Sequence, residues 1–516
     1  MRKLIILSIL CICAFTKLQA QKNRKPNVLV IYTDDHRYSG VHALGGQAVK
    51  TPNLDQLAAT GIAFTKAFLQ GSFSGATCVP SRAMLLTGRN LFELKGRGFT
   101  IPNEHTTMGE VFMDAGYHAH HVGKWHQDFE SLSRSFNTGD KVCGKPAYLT
   151  DQFRMPYSDW HADGKYPIED VYLLEYDNSN NIIKRAFNKK TDKRGPTATE
   201  KVGPHVSKVL ADASINFISN YKKKKPFFHY LAFPTPHDPR QAPNKYKNMY
   251  PETEIALLPS YMPQHPFDNG HIYLRDELLD VWPRTRQIAK KHLSDYYSII
   301  THLDAQIGRV ISALKENGMY ENTIIIMAGD SGLAVGNHGL IGKQNIYDED
   351  GIHIPFILSG GLVDKANHGR REDALCYNYD ILPTICDMAG IKIPESSSGK
   401  SLLPVINNKV ENIRYYTYHA YRQHQRAYRK GDYKLIEYVK APVAKDYARE
   451  AHVAGSRVTQ LFNITKDPWE TFNMADFPKY ADIVAQMRKE LRLKSKEVGD
   501  KPDGESVKVD FWDYYN

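Results

Sequence analysis

Cysteine is scarce, with six in 516 residues. Cys11 and Cys13 fall in an N-terminal apolar stretch, and Cys78, Cys143, Cys376 and Cys386 are scattered, which excludes a disulfide scaffold. Long apolar runs are lacking too. Leu4–Phe15 is too short to span a bilayer as a stable helix, and no other segment is long and apolar enough to do so. The chain shows no repeats or low-complexity tracts. The formal net charge is +10, but no nucleic-acid motif accompanies it and the basic residues are scattered. The one short run, Lys222–Lys225, reads as a solvated loop. Nucleic acid is therefore not an expected partner, whereas an anionic polymer or small anion is.

The composition is that of a globular protein, 42% hydrophobic and 24% charged. Its length fits one large domain plus a smaller one. Arg2 and Lys3, the apolar Leu4–Phe15 and the small residue Ala20 read as a cleavable signal peptide cut after Ala20. Leu10 and Ile12 precede the two early cysteines, which argues against lipidation. The expected location is periplasmic or secreted, without a transmembrane anchor. Cys376 and Cys386, in an apolar run, read as buried thiols.

Strand and helix signals alternate over most of the chain, predicting an α/β fold with a large, mainly parallel sheet flanked by helices. Strands are expected at 27–32, 117–122, 226–233, 322–328 and 354–358, and helices at 54–60, 80–87, 107–115 and 292–317. Residues 131–203 are polar, aromatic and irregular and read as an insertion of loops. From about residue 406 the pattern changes to a strand pair turning at Lys430-Gly431-Asp432, a strand at 460–464 and a helix at 480–496. This predicts a smaller antiparallel sheet plus helix. The expected division is a signal peptide at 1–20, a catalytic domain at 21–405 and a C-terminal subdomain at 406–516.

Four polar clusters each follow a predicted strand: Asp34-Asp35, Gly123-Lys124-Trp125-His126, Pro236-His237 and Asp330-Ser331. Ligands of open α/β sheets bind beyond the carboxyl ends of the strands, so these clusters could converge. Clustered carboxylates repel unless a cation neutralises them, and oxygen ligands suit calcium or magnesium. Taken alone, Asp34-Asp35 could equally be a turn or a helix cap.

Cys78 opens the segment C-V-P-S-R-A-M-L-L-T-G-R. It resembles the defining motif of the type I, formylglycine-dependent sulfatases of the alkaline phosphatase superfamily, matching at Cys78, Pro80, Ser81, Arg82, Leu86, Thr87, Gly88 and Arg89. The resemblance continues in family order through T-P-N-L-D-Q-L-A from Thr51, G-K-W-H from Gly123, the histidine loop ending at His237, G-D-S-G-L-A-V-G-N-H-G-L-I-G-K from Gly329, and L-F-N-I-T-K-D-P-W-E-T-F-N near the C-terminus.

The resemblance implies that a formylglycine-generating maturation enzyme converts Cys78 to 3-oxoalanine, whose hydrate attacks sulfur. It implies one calcium ion held by Asp34, Asp35 and Asp330. The family usually has Asn or His at the next position, where this chain has Ser331, a poorer ligand. Arg82, Lys124 and Lys343 would bind the sulfate oxygens. His237, or else Lys343, would protonate the leaving oxygen, and His126 would serve the release of sulfate. His338 is expected to bind substrate, or to take over the acid role.

The implied substrate is a sulfated carbohydrate, an extracellular polysaccharide such as ulvan or a glycosaminoglycan, or its oligosaccharides. Trp125, Tyr157 and Trp160 are candidates for stacking sugars. The alternatives are an arylsulfatase acting on small esters, or a phosphatase or phosphodiesterase of the same superfamily. The latter would use Ser or Thr in place of Cys78. A non-catalytic carbohydrate-binding relative would have lost Cys78, Arg82 or His126, and none is lost.

Overall fold

The computed structural model describes residues 24–46, 48–147, 151–192, 198–439, 457–500 and 511–515. The signal peptide expected at 1–20, with Cys11 and Cys13, lies outside them. No helix among the described residues is long and apolar enough to cross a membrane.

The main sheet has eight strands: β1 (Asn27–Thr33), β2 (Ile62–Phe64), β3 (His118–Lys124), β4 (Thr138–Cys143), β5 (Phe227–Ala232), β6 (Thr323–Gly329), β7 (Phe356–Ser359) and β8 (Arg370–Glu372). Their order is β8-β2-β7-β6-β1-β5-β3-β4. Every pairing is parallel except those of β7, which runs against β6 and β2. The central run N-V-L-V-I-Y is apolar without alternation because both faces of β1 are covered. Val28, Val30 and Tyr32 point into one core, and Leu29 and Ile31 into the other. The helices Val206–Asn220 and Arg286–Glu316 pack on the second core, through Leu210, Leu303 and Ile307, and Cys78–Thr87 and Ile381–Ala389 on the first.

Two expectations are corrected. The long helix starts at Arg286, six residues before His292, where Thr285 accepts a bond from Ile288 N (3.2 Å). Arg286 and Gln287 at its start are polar and exposed, so the apolar period begins only at Ile288 and Ala289. The stretch 131–203, expected as loops, opens inside a helix at Phe129–Ser135 capped by Asp128, and its β4 adds the edge strand of the main sheet. A hairpin, Tyr172–Tyr176 with Ile182–Ala186, follows. T-G-D-K-V-C is polar because an edge strand is only half covered.

The C-terminal sheet contains Tyr416–Tyr421, Gln425–Lys430, Tyr433–Val439 and Arg457–Asn463, antiparallel throughout, and the helix Ala481–Glu497 packs beside it. Its fifth strand is Gly71–Ser72, which pairs parallel with Ala420–Tyr421. A strand from the N-terminal part, a few residues before Cys78, is therefore built into the C-terminal sheet. Gly71 has φ +130°, and a Cβ there would lie 1.8 Å from Ala420 O. Gly71→Ala is expected to cost about 1–3 kcal/mol from backbone strain alone, with the clash in addition, which thermal unfolding would register as a lowered midpoint.

Candidate active site

The register of β1 sets the site. Thr33 lies beside Gly329 of β6, and Tyr32 beside Ala232 of β5, which in turn neighbours Gly123 of β3. The polar clusters beyond these four strands thus emerge side by side. Asp34 N donates to Thr235 O and Asp330 N to Thr33 O, both at 3.0 Å, which locks the loops together. Asp35 adopts φ +61°, rare for a residue with a side chain. Tyr296 of the long helix donates its hydroxyl to Asp35 O (2.7 Å), and Asp35 N donates to Asp330 Oδ1 (2.8 Å). The surroundings hold the strained backbone.

Cys78 is the first residue of the helix Cys78–Thr87, and Arg82 lies one turn on along the same face. Both are buried. The Cys78 sulfur lies 3.4 Å from His126 Nδ1 and accepts from Lys124 Nζ at 3.8 Å. Arg82 Nη2 donates to Asp330 Oδ2 (3.0 Å) and lies 3.7 Å from Asp34 Oδ2. Lys124 is paired with Asp34, and Lys343 with Asp35. The Ser331 hydroxyl donates to Asp35 Oδ1 (3.3 Å). His237 Nε2 lies 3.8 Å from Asp35 Oδ2, while Nδ1 donates to Asp238 O (2.7 Å), fixing the ring with Nε2 toward the carboxylates.

These groups shift one another's proton affinities. Burial pushes the Cys78 thiol up to about 12, against the pull of Lys124, so an unmodified cysteine here is a neutral thiol. Burial also raises Asp34, but Lys124 and Arg82 outweigh it and hold that carboxyl well below its usual range. Asp330 is pushed well above its usual range, by burial and then by the charge of Asp34. His126 is lowered by burial and by Lys124. Burial opposes the charge on Lys343, yet Asp35 keeps it firmly protonated.

The residues fit a hard divalent cation. Asp34, Asp35 and Asp330 offer oxygen donors only, and Asp34 Oδ1 is buried without a hydrogen-bond partner. Among the described residues, ligand atoms of Asp34, Cys78 and Asp330 lie within 4.8 Å of one another, as do those of Asp35, His237 and Asp238. The sequence reading missed Asp238, although it adjoins His237. It also missed Asn378, which donates to Ser81 O (3.0 Å) and so braces the helix between Cys78 and Arg82.

Four other expected contributors are placed differently. His338 is buried, with Nδ1 on Asp350 Oδ2 (2.5 Å) and Nε2 on Glu470 O (3.0 Å). Both nitrogens are committed to tying its loop to the C-terminal part, which leaves neither for substrate or acid catalysis in this arrangement. Trp125 and Tyr157 are core residues, 1% and 2% exposed. Trp160 packs edge-on against Phe136. Trp125 and Tyr157 fill space and do not form a sugar platform, and Trp160 is half-buried.

Comparison with known proteins agrees with the motif. The sulfatase family profile matches residues 26–391, and that of the C-terminal region of N-sulphoglucosamine sulphohydrolase matches 336–497. An ulvan-active sulfatase of Formosa agariphila is 27% identical over 504 residues, covering 93% of this chain and 83% of that protein. An N-acetylglucosamine-6-O-sulfatase of Bacteroides thetaiotaomicron is 25% identical over 505 residues, covering 84% and 82%. A structure solved with its substrate D-glucosamine-2-N,6-O-disulfate superposes with a TM-score of 0.68 at 20% identity, covering 94% of this chain and 100% of that one. A phosphonate monoester hydrolase of Agrobacterium radiobacter gives 0.68 at 19%, covering 92% and 96%. Likeness at that level speaks for the fold. With 366 of its 516 residues under the family profile and the Cys78 motif at the head of a buried helix, the chain belongs to the sulfatase family and is a sulfatase.

Proposed function

We propose that this sulfatase is exported and removes sulfate from a sulfated carbohydrate, an extracellular polysaccharide or its oligosaccharides, with formylglycine at position 78 and one calcium ion. The observation that carries this reading is the setting of Cys78. It sits at a helix N-terminus, touched by His126 and Lys124 and faced by the carboxylates and Arg82. Two of the curated relatives are named for ulvan and for N-acetylglucosamine 6-sulfate, which supports a glycan substrate. An ulvan-type or glycosaminoglycan-type sulfate is the class proposed.

The hydrated aldehyde at position 78 would supply the attacking hydroxyl, and calcium on Asp34, Asp35 and Asp330, with Ser331 beside them, would supply fixed positive charge. The chain's own cations do related work. Arg82 and Lys343 are held charged by neighbouring carboxylates, and with Lys124, which is paired with Asp34, they can stabilise the charge that builds on the sulfate oxygens. His237 presents Nε2 and can hold the proton that the leaving oxygen needs. His126, kept neutral by burial, can take the remaining proton at position 78 as sulfate departs. Release of sulfate from a panel of sulfated glycans tests the substrate class. Activity confined to small aryl esters would overturn it.

The roles of His237 and Arg82 separate by leaving group. With an activated aryl sulfate the leaving oxygen needs little protonation, so His237→Ala should cost little. With a sugar sulfate the same change should cost roughly 10²- to 10⁴-fold. Arg82→Ala should harm both alike, because it acts on the transferred group. Equal losses for His237→Ala on the two substrates would make His237 a sulfate binder, and the acid role would pass to Lys343.

A further inference from the structure

Residues 264–285 form a stretch without strand or α-helix, apart from a single short turn at Glu277–Leu279. Its segment Arg275-Asp276-Glu277 reaches three loops that carry the proposed chemistry. Arg275 holds both oxygens of Asp238, one at 2.8 Å, and Nη1 also donates to Asp276 Oδ1 (2.9 Å). Asp238 is the residue on which the His237 ring rests. Asp276 Oδ2 accepts from Gln344 Nε2 (2.7 Å), which also donates to Gly75 O (2.9 Å), three residues before Cys78. Gln344 Oε1 in turn accepts from Lys343 N (3.0 Å).

Glu277 completes the set. Its buried carboxylate accepts from the amides of Ile341 (2.9 Å) and Gly342 (2.8 Å), directly before Lys343. Arg284, itself fully buried, pairs with the same carboxylate at 3.0 Å. The loop that delivers Lys343 needs such a hold. It carries Val335 at φ +46° and His338 at φ +49°, and a β-branched residue is a genuine outlier there. Strained conformations persist only where the surroundings over-determine them. The fit is close, since a Cβ on Gly342 would meet Gln344 Oε1 at 2.5 Å and Asp276 Cβ at 3.0 Å.

We propose that Arg275-Asp276-Glu277 is a positioning device that sets the His237 loop and the Lys343 loop against the loop leading into Cys78. The proposal rests on the roles given above to His237 and Lys343. The three residues act through others: Arg275 governs His237 by way of Asp238, and Glu277 governs Lys343 by way of the backbone at 341–342. Misplacing a catalytic group by about 1 Å costs about 10²-fold, so these residues should affect rate far more than their distance from sulfur suggests.

The two arms have different signatures, and neither is a general loss of folding. Kinetics of the full-length enzyme on phenyl sulfate and 4-nitrophenyl sulfate read the His237 arm. Arg275→Met should cost roughly 10- to 100-fold on phenyl sulfate and much less on 4-nitrophenyl sulfate. It should add nothing to His237→Ala, and Arg275→Lys should recover part of the loss. Inorganic sulfate binding, measured by calorimetry, reads the Lys343 arm without turnover. Glu277→Gln should weaken it about 10-fold or more, while Arg275→Met, which reaches Lys343 only through Asp276 and Gln344, should weaken it much less. The Arg275 side chain is 46% exposed, so Arg275→Met should fold even if Glu277→Gln does not. Equal losses for Arg275→Met on both esters, or full additivity with His237→Ala, would overturn the proposal. So would Glu277→Gln with undiminished sulfate affinity. If His237→Ala itself shows no dependence on the leaving group, the acid reading of His237 is what fails, and sulfate affinity alone then decides the positioning claim.

Discussion

Cys78→Ser is expected to abolish turnover, by on the order of 10⁴-fold or more, while the protein stays folded. The change swaps sulfur for oxygen at the first residue of a buried helix, with no change in the number of heavy atoms, so stability should move by no more than about 1 kcal/mol. The chemistry changes far more. A serine hydroxyl could attack sulfur, but the resulting ester has no geminal hydroxyl through which to expel sulfate, so the enzyme would stall after one event. An unconverted Cys78 should be nearly as poor, because burial pushes its thiol up to about 12 and a neutral thiol is a weak nucleophile. Steady-state sulfate release and thermal unfolding, measured on one preparation, check both halves. Near-normal turnover by Cys78→Ser would contradict the account.

Asp34→Ala should remove the metal and the activity together. Asp34 is fully buried between Lys124 and Arg82, with Oδ1 unpartnered. Metal content by atomic emission should fall from about one divalent ion per chain to none, as expected when a hard-cation site loses a carboxylate. Activity should fall by at least about 10²-fold, the scale for removing one preorganised charge. Removing one member of a buried charge cluster can cost about 3–5 kcal/mol, so Asp34→Asn is the companion variant, keeping shape and one oxygen. It too should lose metal and rate, with less loss of stability. Full activity in a preparation free of divalent ions would contradict the metal's role. Ser331→Asn should be tolerated, since position 331 lies against Asp35.

Much of the site was legible because it depends on local pattern and strand order. The runs at β1 and β6 are almost wholly apolar, β3 and β5 are buried although histidines interrupt them, and each ends at a polar cluster. A parallel sheet places such ends together, and the Cys78 motif puts Arg82 one helical turn away. What escaped the sequence depends on partners distant along the chain. Gly71–Ser72 looks like a loop until Tyr416–Tyr421 arrives beside it. Glu277 carries no motif, and although Arg284 is near in sequence, the amides that its carboxylate holds belong to residues more than sixty positions away. His338 sits in the family motif and reads as a ligand, but Asp350 and the backbone of Glu470 take its two nitrogens. Trp125 adjoins Lys124 in sequence, and only packing against Phe136 and His121 shows that its ring faces the core.

The central claim is that residue 78 carries the nucleophile as formylglycine. The most direct test is mass spectrometry of the peptide spanning Ser74 to Arg82, from active enzyme made in its native host, with an aldehyde-reactive hydrazide as a second label. The account predicts a residue 78 that has lost its sulfur and takes up the hydrazide in proportion to specific activity. Fully active enzyme carrying only unmodified cysteine at that position would contradict it.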